Sequence, residues 1–413
     1  MFGWELPPFF AGGVGTVCDE LTKELCKRED ISLTYVMPFG PDEVKNKKFK
    51  VIIAGNLKDR DMRIRTVDSL LGAYMTETEY LEKLKEHLDG KTGLGLDNTL
   101  RLYGANLIEE VCNFAKKAKR IIEEEDFDVI HAHDWTTFPA AEAASKASGK
   151  PFIVHVHITE FDKTGGHGVN QQVYEIEKQG MLSANKVIAV SNKVKNNLIK
   201  HYGIDPQKIE VVHNANIKLP SDPNREFPPI KENTKIVLYA GRVTMQKGPE
   251  YFVEMANKVL QHYDKDVLFV MAGTGEQLKD MIRKAGELGI ADKFLFHGFY
   301  TRDDADRFFK LADLFVMPSV SEPFGVVPLE AMQKGTPAIV SKQSGCSEIL
   351  NNVFKVDFWD INKMSNQVAA LLNYTSLNKT LGEAGKKEVG KLTWEEPAKR
   401  CVDIYRELTN KEQ

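Results

Sequence analysis

Short apolar runs, rich in β-branched residues, alternate with amphipathic helix-length segments through nearly the whole chain. The runs are Ile31–Met37, Val51–Ala54, Asp128–His133, Phe152–His157, Lys186–Ser191 and Glu210–His213, and then, after a break, Ile236–Gly241, Val267–Gly273, Phe294–Phe299, Leu314–Ser319, Pro337–Ser341 and Phe354–Phe358. Several are apolar without alternation, as in parallel strands buried on both faces. Segments such as Glu250–Gln261 and Asn362–Leu372 between them have helix length. Strand and helix in alternation predict an α/β chain with parallel sheets and right-handed crossovers. The break itself, Ile217–Lys235, holds four prolines and seven charged residues and has no periodic apolar face, so it reads as a linker. The organisation expected is a domain over 1–217, a linker over 218–235 and a second domain over 236–392. The helical pattern within 393–410 has no strand after it and can pack back on the first domain. Two such domains facing across a cleft would each present the carboxyl ends of their strands, where ligands of parallel sheets bind.

The start departs from this scheme. A doubly wound sheet opens with a strand that feeds a glycine turn, yet only a handful of residues precede Pro7-Pro8. The first strand is expected to be very short, or truncated in this numbering. MFGWELPPFF has no basic stretch followed by an apolar one and does not read as a signal peptide.

Composition narrows the class. With 413 residues, 42% hydrophobic and 28% charged, the chain is that of an ordinary globular protein large enough for two domains. A net charge of -4 gives no reason to expect nucleic acid. No apolar run reaches the ~18 residues of a membrane span. The basic segment Lys45–Lys50 reads as a solvated loop. Cys18, Cys26, Cys112, Cys346 and Cys401 are scattered without a C-x-x-C pair, which suits free thiols and a cytoplasmic location.

Four segments carry candidate chemistry. Gly12-Gly13-Val14-Gly15 precedes a helix with the apolar face Val14, Val17, Cys18, Leu21 and Leu25. Glycines there let backbone amides approach a phosphate or sugar at a helix N-terminus, although a plain strand-to-helix turn has the same pattern. The dinucleotide fingerprint G-x-G-x-x-G is absent, and Ile31–Met37 ends in Pro38-Phe39 instead of an acidic residue, so a nicotinamide cofactor is not expected. In Asp128-Val-Ile-His-Ala-His133-Asp134, His131 and His133 share one face of a strand, and His155-Val-His157 repeats the arrangement. His131 and His155 read as satisfied core histidines and His133, at the strand end, as a ligand contact. Four such histidines raise the question of zinc, but the reading adopted has no metal.

Arg242 and Lys247, in Gly241-Arg-Val-Thr-Met-Gln-Lys-Gly248, follow the first strand of the second half. A guanidinium fork and a mobile ammonium suit a diphosphate. No G-x-x-x-x-G-K-[ST] loop occurs. Gly273 and Gly275, after the next strand, either line the same cleft or form a turn. In Ser319-Val-Ser-Glu322-Pro-Phe-Gly325-Val-Val-Pro328-Leu-Glu330, a loop runs into a helix with Pro328 in its first turn. Amides of Gly325, Val326 and Val327 would point at an anion, while Glu322 and Glu330 would accept hydrogen bonds from hydroxyls of a sugar and a ribose. A capping-box role for Glu330 is the lesser reading, since it needs Ser or Thr at the cap and Val327 stands there.

These residues, over nearly the whole chain, resemble the retaining GT-B glycosyltransferases, and within them the glycogen and starch synthase-like group. The spacing from Glu322 to Glu330 is the most specific element and the Arg242/Lys247 pair comes next. The resemblance implies two Rossmann-like domains and a hexosyltransferase that moves glucose, or another hexose, from a nucleoside-diphosphate sugar to a glycan acceptor. It implies that Gly13 lies against the donor, that His133 contacts the sugar, and that Arg242 and Lys247 neutralise the leaving diphosphate. It further implies that Glu322 binds sugar hydroxyls, that Glu330 binds the ribose, and that neither metal nor cofactor takes part. The D-x-D strings Asp59–Asp61, Asp126–Asp128, Asp264–Asp266 and Asp304–Asp306 lie away from strand ends, consistent with that. Phe10 stands where bacterial glycogen synthases carry a lysine, which leaves ADP-glucose, UDP-glucose and other hexose donors open. A sugar-nucleotide epimerase, a phosphorylase and a non-catalytic glycan-binding protein are the alternatives on such a fold.

Overall fold

The structure, a computed structural model, describes residues 1–7, 13–40, 48–56, 107–166, 168–217 and 234–409. It divides into two compact units. One gathers Met1–Phe161, Gly168–Asn214 and Trp394–Gln413, and the other Asp162–His167 and Ala215–Thr393.

In the first unit, β1 (Thr34–Met37) pairs in parallel with β2 (Lys50–Ile53). A parallel row runs β3 (Ile130–His133), β4 (Phe152–Val156), β5 (Lys186–Ala189) and β6 (Ile209–Val211). Phe2 joins the two groups through parallel bridges to Val36 and Ala132. Its amide donates to the His131 carbonyl at 2.7 Å, and its carbonyl accepts from the His133 amide at 3.0 Å. The opening strand is therefore a short one centred on Phe2, with β1 on one side and β3 on the other. Helices α1 (Gly13–Leu25), α2 (Leu107–Glu124) and α3 (Phe138–Ser148) alternate with the strands, α4 (Glu160–Thr164) has only its first two residues in this unit, and α5 (Gln171–Ser183) and α6 (Asn192–Asn197) follow. Asn170 and Ser191 cap α5 and α6 by accepting from amides two or three residues on, which satisfies donors that a helix start leaves open.

In the second unit six parallel strands stand in the order β12-β11-β10-β7-β8-β9. They are β7 (Lys235–Ala240), β8 (Val267–Ala272), β9 (Phe294–Gly298), β10 (Leu314–Met317), β11 (Ala338–Ser341) and β12 (Phe354–Val356). The helices between and after them are α7 (Pro249–Leu260), α8 (Leu278–Glu287), α9 (Arg302–Leu311), α10 (Val327–Gln333), α11 (Ile361–Asn373) and α12 (Thr375–Val389). The chain builds outward from β7 to β9, returns, and starts again at β10 beside β7. Loops after β7 and β10 consequently diverge, and ligands settle in such a crevice. Phe252, Val253, Met255, Ala256 and Val259 form the buried face of α7 against Val237, Tyr239, Phe269 and Met271 of β7 and β8. Each fully buried side chain of this size contributes roughly 1.5–3 kcal/mol.

The last helix, α13 (Glu395–Thr409), belongs to the first unit and packs against α1. Its buried residues Ala398, Cys401, Val402, Tyr405 and Leu408 recur at helical spacing, and Arg406 pairs with Asp30. One boundary moves. Lys235, expected in the linker, opens β7, because the Asp313 carboxylate holds its ammonium at 2.7 Å and the Ile236 amide at 2.9 Å. The rest of the expected linker, apart from Thr234, lies outside the described residues, as do Asp59–Asp61. Among the described residues no helix is long and apolar enough to cross a membrane.

Candidate functional site

The crevice of the second unit is built by two loops locked through their backbones. After β7 the chain passes Gly241 and Arg242, makes a tight turn over Met245–Lys247, and enters α7 through Gly248. Gly248 has φ +64°, and a Cβ there would lie 2.2 Å from the Pro318 carbonyl oxygen, so only glycine lets the two loops meet. The Gln246 carbonyl accepts from the amides of Val320 at 2.9 Å and Ser321 at 3.3 Å. This brings Lys247 Nζ to 2.5 Å from Glu322 Oε2, an ion pair whose side chains keep 21% and 10% exposure. Arg242 is exposed on the neighbouring turn; its Nη2 donates to Gln246 Oε1 at 3.3 Å, while Tyr239 OH donates to its carbonyl at 2.6 Å.

Gly273 and Gly275 serve this arrangement through backbone contact. A Cβ on Gly273 would fall 1.8 Å from the Gly241 carbonyl oxygen, and one on Gly275 would fall 2.4 Å from that of Val243. The loops nest with the Val243 amide donating to Thr274 at 2.8 Å and the Gln277 amide to Val243 at 3.1 Å.

The segment Glu322–Glu330 is held from behind by Gln343–Cys346. The Glu322 amide donates to the Gln343 carbonyl at 3.0 Å, the Gly345 amide to Glu322 at 3.0 Å, and the Cys346 amide to Phe324 at 2.6 Å. Gly325, at φ +94°, packs where a Cβ would meet Glu322 Cγ at 3.0 Å and Cys346 Sγ at 3.3 Å. The cap of α10 is Val326, one residue before the expected Val327, and neither valine supplies a side-chain cap; Pro328 stands in the first turn. Glu330 is half-buried, and burial pushes its carboxyl up to about 7, against the pull of Arg302 and Lys334. The Tyr300 hydroxyl is held well above its ordinary range by burial and by Glu330. The structure thus brings Arg242, Lys247, Glu322, Gly325, Val326, Val327, Glu330, Gly273 and Gly275 to one edge of one sheet. Sequence reasoning missed Gln246, Tyr239, Tyr300 and Gln343–Cys346. They have no motif of their own and matter only through the loops they touch.

The first unit holds the other candidates. Gly12 lies outside the described residues. Gly13 begins α1 with open space around it, and Gly15 is buried. His133 ends β3, is 1% exposed, and has its Nδ1 2.9 Å from His157 Nε2. Asp134 follows at φ +58°, with Oδ1 accepting from the His157 amide at 2.7 Å. His131 and His155 are buried, as core histidines are, but the expectation that they are satisfied fails. Among the described residues His131 meets Tyr405 OH at 2.6 Å through Nδ1 only, and neither ring nitrogen of His155 has a partner. Burial lowers the basicity of all four strand histidines, that of His157 to about 3. The D-x-D aspartates do other work: Asp304 closes a capping box with Thr301, and Asp306 pairs with Lys310 at 2.7 Å and Lys334 at 2.5 Å.

Residues 220–388 match the family model Glycosyl transferases group 1, and residues 99–215 match Glycosyltransferase Family 4. An uncharacterised glycosyltransferase of Methanocaldococcus jannaschii is 29% identical over 307 residues, which is 70% of this chain and 78% of that protein. The UDP-Gal:alpha-D-GlcNAc-diphosphoundecaprenol alpha-1,3-galactosyltransferase of Escherichia coli is 27% identical over 266 residues, 62% of this chain and 68% of the other. Among solved structures, the sucrose-phosphate synthase of Thermosynechococcus elongatus superposes with a TM-score of 0.71 over 97% of this chain and 94% of that one, at 19% identity.

Proposed function

We propose that the chain, whose two halves match the group 1 and family 4 glycosyltransferase models on a GT-B fold, is a glycosyltransferase that moves a hexosyl unit, glucose first among them, from a nucleoside diphosphate to a glycan hydroxyl with retention at the anomeric carbon. The charged set argues against the non-catalytic glycan-binding alternative, since a pure binder has no need of a diphosphate clamp.

The observation that carries the reading is the Lys247–Glu322 pair beside exposed Arg242, in the crevice where the order of strands reverses. Lys247 and Arg242 would take the two negative charges of a leaving diphosphate, so no divalent cation is required there. Fixed donors of this kind contribute about 3 kcal/mol each when aimed at developing charge. Glu322, oriented by Lys247 and by the Gln343–Cys346 segment, would accept from sugar hydroxyls, and Glu330 from the ribose. As the glycosidic C–O bond breaks, the anomeric carbon gains oxocarbenium character. The acceptor oxygen then attacks from the face the diphosphate leaves, and its proton passes to a diphosphate oxygen. His133, buried against His157, is left out of this scheme.

The donor is a UDP- or ADP-hexose, and elongation of an α-glucan is the transfer that the glycogen synthase-like motifs support. The named donor of the E. coli relative favours a second reading, in which another hexose passes to a cell-envelope or other glycan or small acceptor. The five free cysteines are compatible with work in the cytoplasm. A panel of UDP-, ADP- and GDP-hexoses, offered with maltooligosaccharides, tests both. Longer α-linked products, formed at a rate independent of added magnesium, support the proposal. A β-linked product, or turnover only with added divalent cation, would sink it.

A further inference from the structure

The strand histidines of the first unit are where buried polarity is least accounted for. His131 and His133 leave β3 on one side, and His155 of β4 and His157, one residue past its end, stand beside them, with His133 registered beside His155. The rings form a continuous ladder with centroids 4.4 Å apart for His131 and His133, 5.2 Å for His133 and His155, and 4.3 Å for His155 and His157. Five of the eight ring nitrogens are buried without a hydrogen-bond partner among the described residues: Nε2 of His131 and His133, both nitrogens of His155, and Nδ1 of His157. Apolar side chains would fill the same volume without the cost of orphaned polar atoms, so this set calls for something that uses its lone pairs.

Its donors converge. His131, His133 and His155 form one triad and Cys18, His133 and His157 another, each with ligand atoms within 4.8 Å of one another. Cys18 reaches the ladder from α1. Imidazole nitrogens and a thiol, with no oxygen ligand among them, select a borderline or soft transition metal over magnesium or calcium. The surroundings agree in charge. Burial and the carboxylates of Asp134, Glu5 and Asp19 hold the Cys18 thiol protonated in the absence of a metal, while the same negative field would offset a bound cation.

We propose that this grid binds one divalent transition-metal ion of the zinc class through the histidines of β3 and β4, with Cys18 as the thiolate ligand available from α1. Metal–nitrogen bonds of about 2.0–2.1 Å would require the donor atoms, now within 4.8 Å of one another, to draw in around the ion. If Cys18 ligates, its proton leaves to solvent as the metal–sulfur bond forms. The ion ties β3, β4 and α1 together below Asp134 and takes no part in transfer chemistry.

The test uses the full chain, free of tag histidines, stripped with a chelator and titrated with Co(II) and then Zn(II). Expected are one metal per chain, a raised Tm, and the intense visible absorption of four-coordinate Co(II). A near-ultraviolet thiolate band should vanish in Cys18→Ala, and affinity should fall about tenfold or more in His155→Gln. Failure of saturable binding, or a weak six-coordinate spectrum typical of exposed histidines, overturns the proposal. Unchanged affinity in a folded His155→Gln protein does the same. Should that variant not fold, the wild-type spectrum and stoichiometry decide alone.

Discussion

Lys247 Nζ stands 2.5 Å from Glu322 Oε2 although 75 residues separate them in the chain. The pair forms because β7 and β10 lie side by side in the sheet and the Gln246 carbonyl fastens one loop to the other. Each member holds the other in place before any ligand arrives. Lys247→Ala and Glu322→Gln should each lower kcat by roughly 10²–10³, the loss seen when one fixed electrostatic donor is removed. Lys247→Ala also leaves Glu322 nearly buried without its cation, so its Tm should fall. Rates on the best donor of the panel, read beside thermal melts, check both.

Arg242 gives the contrasting case. Its side chain is exposed, so Arg242→Ala should lose activity by a similar factor while the Tm stays within about 1 °C, as surface substitutions shift stability by less than ~0.5 kcal/mol. A large drop in Tm would mean that the residue supports the loop instead of the diphosphate.

Glu330 sets a pH dependence. Its carboxyl titrates near 7 in the folded protein, whereas an unfolded glutamate releases its proton near 4.5. Between those values the folded chain binds a proton that the unfolded chain has lost, so stability falls as pH rises through this window. Glu330→Gln removes the effect, and its stability should gain on that of the wild type between pH 5 and pH 8. Ribose hydroxyls favour the ionised carboxylate, so the donor KM should rise as the pH drops below about 7 in the wild type and stay flat in Glu330→Gln. Denaturant melts and donor saturation curves across this range check both signs.

Gly273 and Gly203 separate contact from strain. Both have positive φ, +146° and +69°, but a Cβ on Gly273 meets the Gly241 carbonyl at 1.8 Å while one on Gly203 meets nothing. Gly273→Ala should cost about 3 kcal/mol or more and impair donor binding, because the loop carrying Arg242 must move. Gly203→Ala should cost only about 1 kcal/mol and leave activity intact. Urea unfolding of the two variants tests the ranking.

Tyr405 anchors α13. Its hydroxyl lies 2.6 Å from His131 Nδ1 in a fully buried setting. Tyr405→Phe should destabilise the protein by about 1–3 kcal/mol, since it orphans the second nitrogen of a ring whose Nε2 already lacks a partner. Calorimetry on the full chain measures it.

The sequence by itself determined the elements and the chemistry that each loop can offer. Continuous apolar runs such as Val267–Ala272 could only be strands covered on both faces, and Glu322, Gly325 and Pro328 declared a loop entering a helix. Both are local facts, set by side-chain periodicity and backbone preference. Tertiary structure alone decided which loops meet. It put Lys247 against Glu322, gave Gly273 and Gly275 their steric purpose, and placed α13 beside the strand histidines. It also set His131 and His155, expected to be satisfied core histidines, in a ladder of four rings in which five buried nitrogens have no partner among the described residues. The physical reason is the same throughout: hydrogen bonding between parallel strands joins segments far apart in the chain, and no periodicity along one segment records the register of another.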